Sequence, residues 1–383
     1  MRILLTVALI CLFLLAPVHA APGEAAGELA DAISLDDVNS FIGKINRELN
    51  EDIPLLSGET IRSIAARGFS LDWESIKQNT ITRLFKELAA NAHLMGKLLF
   101  LAVLCALLQN LQNSFEHSAI SLLAYSICYI FLAVIALTAF YNAMALARDT
   151  VSNMVGFMEA LLPLLISLLA GVGAVTTAAL FTPLMLFVVS TVSIVVKDVV
   201  LPLFFLAAVL QCVNFLSDRY QVSNLCGLFR QGGMVVLGLT LVVFVGVITV
   251  QGVAGGVADG VALRTAKYAT ATFIPVVGKM FADTVEMVMG ASLLLKNAIG
   301  LFGIATVITL CALPLIKLAS LIFVIKLAGA LVQPMGDEKM AKCLDGMGDN
   351  LLLVFGGVLA VAIMFFLTIT MIIGIGSMTM MLR

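Results

Sequence analysis

From Leu94 to the C terminus the chain is a succession of apolar segments: 94–111, 119–147, 154–172, 178–196, 199–216, 233–251, 301–314, 315–332 and 351–376. Crossing a bilayer core takes about 20 predominantly apolar residues in a helix. Lipid offers no partner to an open backbone group, so helical spans are the expected form of such segments. Only 12% of the 383 residues are charged, against about 25% in ordinary soluble domains. The pattern therefore predicts an all-α, polytopic integral membrane protein. With a net charge of −2 and no basic run, nothing points to nucleic acid.

The N terminus reads MRILLTVALICLFLLAPVHA. Arg2, an apolar run over 3–16 closed by Pro17, and the small-residue site Val18-His19-Ala20 describe a signal peptide spanning 1–20. The apolar run is shorter than a membrane span, and cleavage after Ala20 would leave the mature N terminus outside the cytoplasm. Residues 21–92 are a different material, dense in charge and holding the only tryptophan, Trp73. Ser34 with Asp37 can open a helix whose apolar face carries Leu35, Val38, Phe41, Ile42, Ile45 and Leu49. Pro54 and Ser57-Gly58 break it, a short helix over 61–68 follows, and a third helix begins after Ser70. About seventy residues bury a small core at best, so this segment is expected to be an extracytoplasmic helical module that packs on something else. The polytopic membrane domain then occupies 93–383.

An internal repeat is legible in that domain. One shift of the chain carries Leu180-Phe181 onto Leu301-Phe302, the 207–210 stretch onto 328–331, and Ile248-Thr249-Val250 onto Ile369-Thr370-Met371. The two units, 150–252 and 271–373, would each hold a leading helix, a proline-containing hairpin, a polar loop and a long final span. Pro163, Pro183, Pro202 and Pro314 suggest the broken helices of transporters. Arg219, Arg230, Lys339 and Lys342 place the polar loops in the cytoplasm, although Arg264 and Lys267 on the other side weaken that bias. Gly252, Gly256 and Gly260 suit a close helix crossing or a flexible linker.

The leading helix of the second unit carries the chain's most unusual polar pattern. At a 3.6-residue period Lys279, Asp283, Glu286 and Asn297 fall on one stripe, with Lys296 beside it. Each charge facing lipid at the bilayer centre would cost about 3 kcal/mol on insertion scales. The stripe therefore faces a watery cavity or a partner, or else the helix lies at the membrane interface with its polar side out. Pro275 and Gly278 suit a broken entry to it, and Glu159 lies on the corresponding helix of the first unit. Gly346-Met347-Gly348-Asp349 matches the GxGD pattern of intramembrane aspartyl proteases, which need a second carboxylate from a neighbouring span. Asp283 or Glu286 could supply one, but Asp349 is more simply the cap of the 351–376 helix. There is no P-loop, HExxH or GxSxG motif, and the seven scattered cysteines form no CxxC pair. No enzyme activity, cofactor or metal is expected.

The run KYATATFIPVVGKMFADTVEMVMGASLLLKNAIGLFG (267–303), the following KLAGALVQPMGD (326–337) and the terminal MMLR resemble the stage III sporulation protein AE family of endospore-forming bacteria. The likeness extends over the whole chain. It implies a subunit of the channel or export apparatus that links mother cell and forespore and supports late forespore development. That apparatus would lie in the mother-cell-derived membrane around the forespore, with other membrane proteins of the complex and a separate ATPase as partners. Hydropathy alone leaves two alternatives: a self-sufficient permease-like secondary transporter and an intramembrane aspartyl protease.

Overall fold

The computed structural model of the chain describes residues 35–49, 73–114, 119–216, 222–273, 277–335 and 338–381. The signal segment, Ser34, and the break and short helix expected between 50 and 72 lie outside them. The described residues are helical throughout, apart from short connections. The elements are α1 (Asp36–Leu49), α2 (Trp73–Ser114), α3 (Ala119–Gly171), α4 (Val175–Ile194), a π-helical turn (Val195–Val200), α5 (Leu201–Leu216), α6 (Ser223–Phe273), α7 (Val277–Val332), a 3-10 turn (Gln333–Met335) and α8 (Glu338–Met381). Among the described residues six helical stretches are long and apolar enough to cross a membrane: 82–105, 123–171, 175–215, 223–252, 287–332 and 338–375.

Nine separate spans were expected, and the structure joins them into fewer, longer helices. Segments 119–147 and 154–172 are both in α3, 301–314 and 315–332 are both in α7, and 178–196 runs into 199–216 through the π turn. Pro163, Pro183 and Pro314 lie inside helices, so the proline hairpins expected within each repeat unit are absent. A proline removes one backbone donor, and in a crowded bundle that loss is absorbed by neighbouring helices. Pro202 shows how. The Leu201 amide bonds back to the Val196 carbonyl in the wide π register, and the next amide in that register would be residue 202, which has none. The carbonyl thereby freed, on Lys197, accepts instead from Arg148 Nη2 of α3 at 3.0 Å.

Two antiparallel hairpins dominate the bundle. In the first, α4 and α5 descend against α6. Phe204 meets Gly233, where a Cβ would fall 2.5 Å from the Phe204 ring, and Cys226 lies 3.1 Å from Gln211. In the second, α7 descends against α8 from Gly300–Ile373 to Lys326–Asp349. The hairpins stand side by side with α6 and α8 parallel, because Arg230 pairs with Asp349 at 3.7 Å and Gly252 abuts Met371. The end of α5 and start of α6 thus lie at the same end of the bundle as the end of α7 and start of α8. Of the glycines at 252, 256 and 260, Gly252 sits at a crossing with α8; the adjacent Gly255 meets Thr177 of α4.

The helix α3 runs antiparallel to α4–α5, with the Tyr129 hydroxyl donating to the Cys212 carbonyl at 2.8 Å. It also runs antiparallel to α7, where Leu161 faces Gly303 and Gly171 faces Ser292. α2 lies along α7, and Asn91 donates to Ser320 Oγ at 3.0 Å. The boundary drawn at 92/93 falls inside α2. α1 docks on α3 as its apolar stripe suggested. Val38 and Ile42 are buried, and Phe41 lies 6.4 Å from Phe157, centroid to centroid. Asp36 and Asp37 open α1 and Arg47 is in its last turn, the charge order that suits a helix dipole.

At the opposite end of the bundle, α4 begins after a tight turn in which Gly173 takes φ 94°. Its flanking residue, Ala174, has no side chain able to cap. The cap comes from α6: buried Asp259 accepts the amide of Thr176 at 2.9 Å and that of Thr177 at 3.2 Å, and also binds the Thr177 hydroxyl. A carboxylate at a helix N terminus satisfies orphan donors and the dipole together. Asp259→Ala should therefore lower stability by about 1–2 kcal/mol, with Asp259→Asn losing less. Thermal unfolding of the purified protein in detergent checks this, and equal midpoints for all three proteins would contradict the capping role.

Candidate functional site: the polar groups of α7

The stretch that carried the polar stripe is the N-terminal part of α7, continuous with the span that follows. Pro275 and the side chains of Lys279, Asp283 and Glu286 lie outside the described residues, as do the surroundings of Gly278. Lys296 and Asn297 are described. Lys296 is fully buried where α7 crosses α8. Its Nζ donates to the main-chain carbonyls of Ile373 at 3.0 Å and Ile372 at 3.3 Å. One turn on, Gly300 lets Ile369 and Ile373 approach; one turn back, buried Ser292 faces Gly171 of α3. Asn297 Oδ1 is buried with no partner among the described residues.

Two carbonyl dipoles are thin compensation for a buried ammonium, and no described carboxylate pairs with Lys296. Buried charges of this kind cost several kcal/mol after relaxation, so Lys296 is a feature the packing tolerates rather than needs. The structure does not bring Glu159 to it. Glu159 is exposed on α3 and accepts from Ser190 Oγ of α4 at 3.1 Å. From the antiparallel α3–α7 register it lies two to three turns away from Lys296.

The GxGD tetrapeptide also sits differently from expectation. Asp349 is well inside α8, which starts at Glu338, so it caps no helix. The apolar 351–376 segment continues backward because Gly346 and Gly348 serve close packing instead of a turn. A Cβ on either would strike Gln211 of α5 or Lys326 of α7. The carboxylate beside Asp349 is Asp345, one turn earlier; both bind Lys326 Nζ at 2.8 Å, and Arg230 adds a second cation to Asp349. A protease pair needs two carboxylates held in different protonation states, whereas this pair is clamped by cations. The network ties α6, α7 and α8 together near the hairpin turns. The sequence offered no sign of it, since the antiparallel α7–α8 packing brings Lys326 to Asp345 and Asp349 and the parallel run of α6 and α8 adds Arg230.

The cysteines are apolar packing: Cys105, Cys212, Cys226, Cys311 and Cys343 are all buried. Among the described residues no cluster of three or more histidine, cysteine or acidic side chains could hold a metal.

Exchanging the Lys296 charge for an apolar chain of the same length should leave stability unchanged or raise it, by up to about 1–4 kcal/mol. Lys296→Met tests this by thermal unfolding in detergent. A large loss of stability would show that the ammonium holds the α7–α8 crossing together.

Comparison with known proteins places this architecture. The family model described as stage III sporulation protein AE matches residues 57–376. Over 366 residues the chain is 38% identical to stage III sporulation protein AE of Bacillus subtilis (strain 168), covering 95% of this chain and 92% of that protein. No solved structure matches. A match over most of the chain, carried by the same polytopic helical sequence, makes the protein a member of the stage III sporulation protein AE family.

Proposed function

We propose that the protein is a membrane subunit of a channel or export apparatus that connects mother cell and forespore and is needed for late forespore development. The observation that carries this reading is the family match over 57–376, joined to six helices able to span a membrane. The protein would reside in the mother-cell-derived membrane around the forespore, with the part of 21–92 that precedes the 82–105 stretch outside the cytoplasm. Its partners, as the family resemblance implies, would be other membrane proteins of the complex and a separate ATPase. Lys279, Asp283, Glu286 and Asn297 are the candidate cavity-facing or partner-facing groups, entered past Pro275 and Gly278. The units 150–252 and 271–373 are read as copies; the parallel run of α6 and α8 supports a parallel pair. That pairing also favours a second reading, a self-sufficient permease-like transporter.

Isolation of the tagged chain from sporulating cells separates the two. The wild type should bring down the ATPase and further membrane proteins, and should pass no solute when reconstituted alone in liposomes. The double variant Asp283→Asn, Glu286→Gln should accumulate normally yet fail to support heat-resistant spores. Solute flux by the isolated chain, with nothing co-isolating, would overturn the channel reading in favour of the transporter.

A further inference from the structure

Along α3 the exposed surface changes character. Up to Tyr141 it is apolar, with Leu123, Ile127, Ile130, Phe131 and Val134 all open. Beyond that point Asn142, Arg148, Asp149, Ser152 and Glu159 are exposed instead. The π turn of the neighbouring strand of helix extends this strip across the groove. Arg148 approaches Asp198 at 3.9 Å, with side chains 46% and 62% exposed, and Lys197 Nζ donates to Ser152 Oγ at 3.0 Å. Further along, Ser190 reaches Glu159. Arg148 lies near the middle of the 123–171 stretch, which at 1.5 Å per residue is about 73 Å long, more than twice a hydrocarbon core of about 30 Å; its depth is therefore set by the helices beside it. The π turn is itself an uncommon feature that concentrates at functional positions.

At the same height another face of the bundle carries no charged side chain and is mostly apolar. By the α4–α5/α6 register, Leu239 and Val250 of α6 are level with 198 and 187, and they are 65% and 68% exposed. The bundle therefore shows lipid-compatible surface on α6 and ionisable groups on α3 at one depth. Charges facing hydrocarbon there would each cost about 3 kcal/mol or more. A dry protein partner fits poorly, because Asp149 has no partner among the described residues and Glu159 has only a serine hydroxyl. Burying unpaired carboxylates is strongly unfavourable.

We propose that the C-terminal half of α3, with the π turn, is the water-facing wall of a polar path along the bundle. It carries cations and carboxylates in near balance, so it suits hydrated polar solutes without strong selection by charge sign. This deepens the channel reading and rests on it for the purpose of the path, while its geometry is testable independently.

The test is cysteine labelling of the full chain in native membranes, after the native cysteines are replaced. Asn142→Cys and Asp149→Cys are compared with Leu239→Cys and Val250→Cys, each normalised to labelling after denaturation. A membrane-impermeant thiol reagent should modify the two α3 positions about tenfold faster or more, since a thiol in hydrocarbon scarcely ionises. Equal, fast labelling of all four would mean that this level stands outside the bilayer altogether, and would overturn the proposal. Slow labelling of the α3 positions would overturn it too, and disulfides forming between chains at 149 would identify a second copy as the cover. Neither result touches the co-isolation outcome, so the wall and the channel reading fail separately.

Discussion

A polar group inside a lipid-embedded bundle must find its partner within the protein, and that requirement shapes this molecule more than any single contact. It acts first on the backbone, forcing the described chain into helices. It then acts on three exceptions. The carbonyl freed at Pro202 is met by Arg148 of α3. The open amides at the start of α4 are met by Asp259 of α6. The Lys296 ammonium is met by carbonyls of α8. In each case the compensating group comes from another helix, and the Arg148 and Asp259 contacts also act as ties between helices.

The apolar remainder is held by close approach. Glycines at the crossings admit neighbours that a Cβ would exclude: Gly156 takes Phe41, Gly233 takes Phe204, and Gly303 takes Leu161. In membranes, where lipid is as apolar as leucine, such packing is a main source of helix association. The ion network of Arg230, Lys326, Asp345 and Asp349 then locks the two hairpins at their turn ends. The result is a bundle in which ion pairs link α6, α7 and α8, while α3 and the π turn present the outer polar strip.

Much of this was legible from residue pattern. The apolar segments and the amphipathic face of α1, with Val38 and Ile42 inward, follow from periodicity. What the pattern misjudged was continuity. A proline reads as a break because it lacks a donor, yet Pro163, Pro183 and Pro314 are carried within helices. Asp349 read as a cap because glycines precede it, but those glycines make room for Gln211 and Lys326. Asp259 was hidden in a glycine-rich stretch because Thr177, its partner, is 82 residues away in sequence. Local pattern carries no information on such pairings. Only the helix register supplies it.

The arrangement on which all of this turns is the parallel course of α6 and α8, with their N-terminal ends at one end of the bundle. In-chain cross-linking in native membranes tests it most directly, in a background freed of native cysteines. Gly252→Cys with Met371→Cys should form a disulfide readily, because the glycine abuts that side chain. Gly252→Cys with Asp349→Cys should not, since the two are separated by about 33 Å along the helices. Cross-linking of the 252/349 pair in preference to 252/371 would contradict the parallel arrangement.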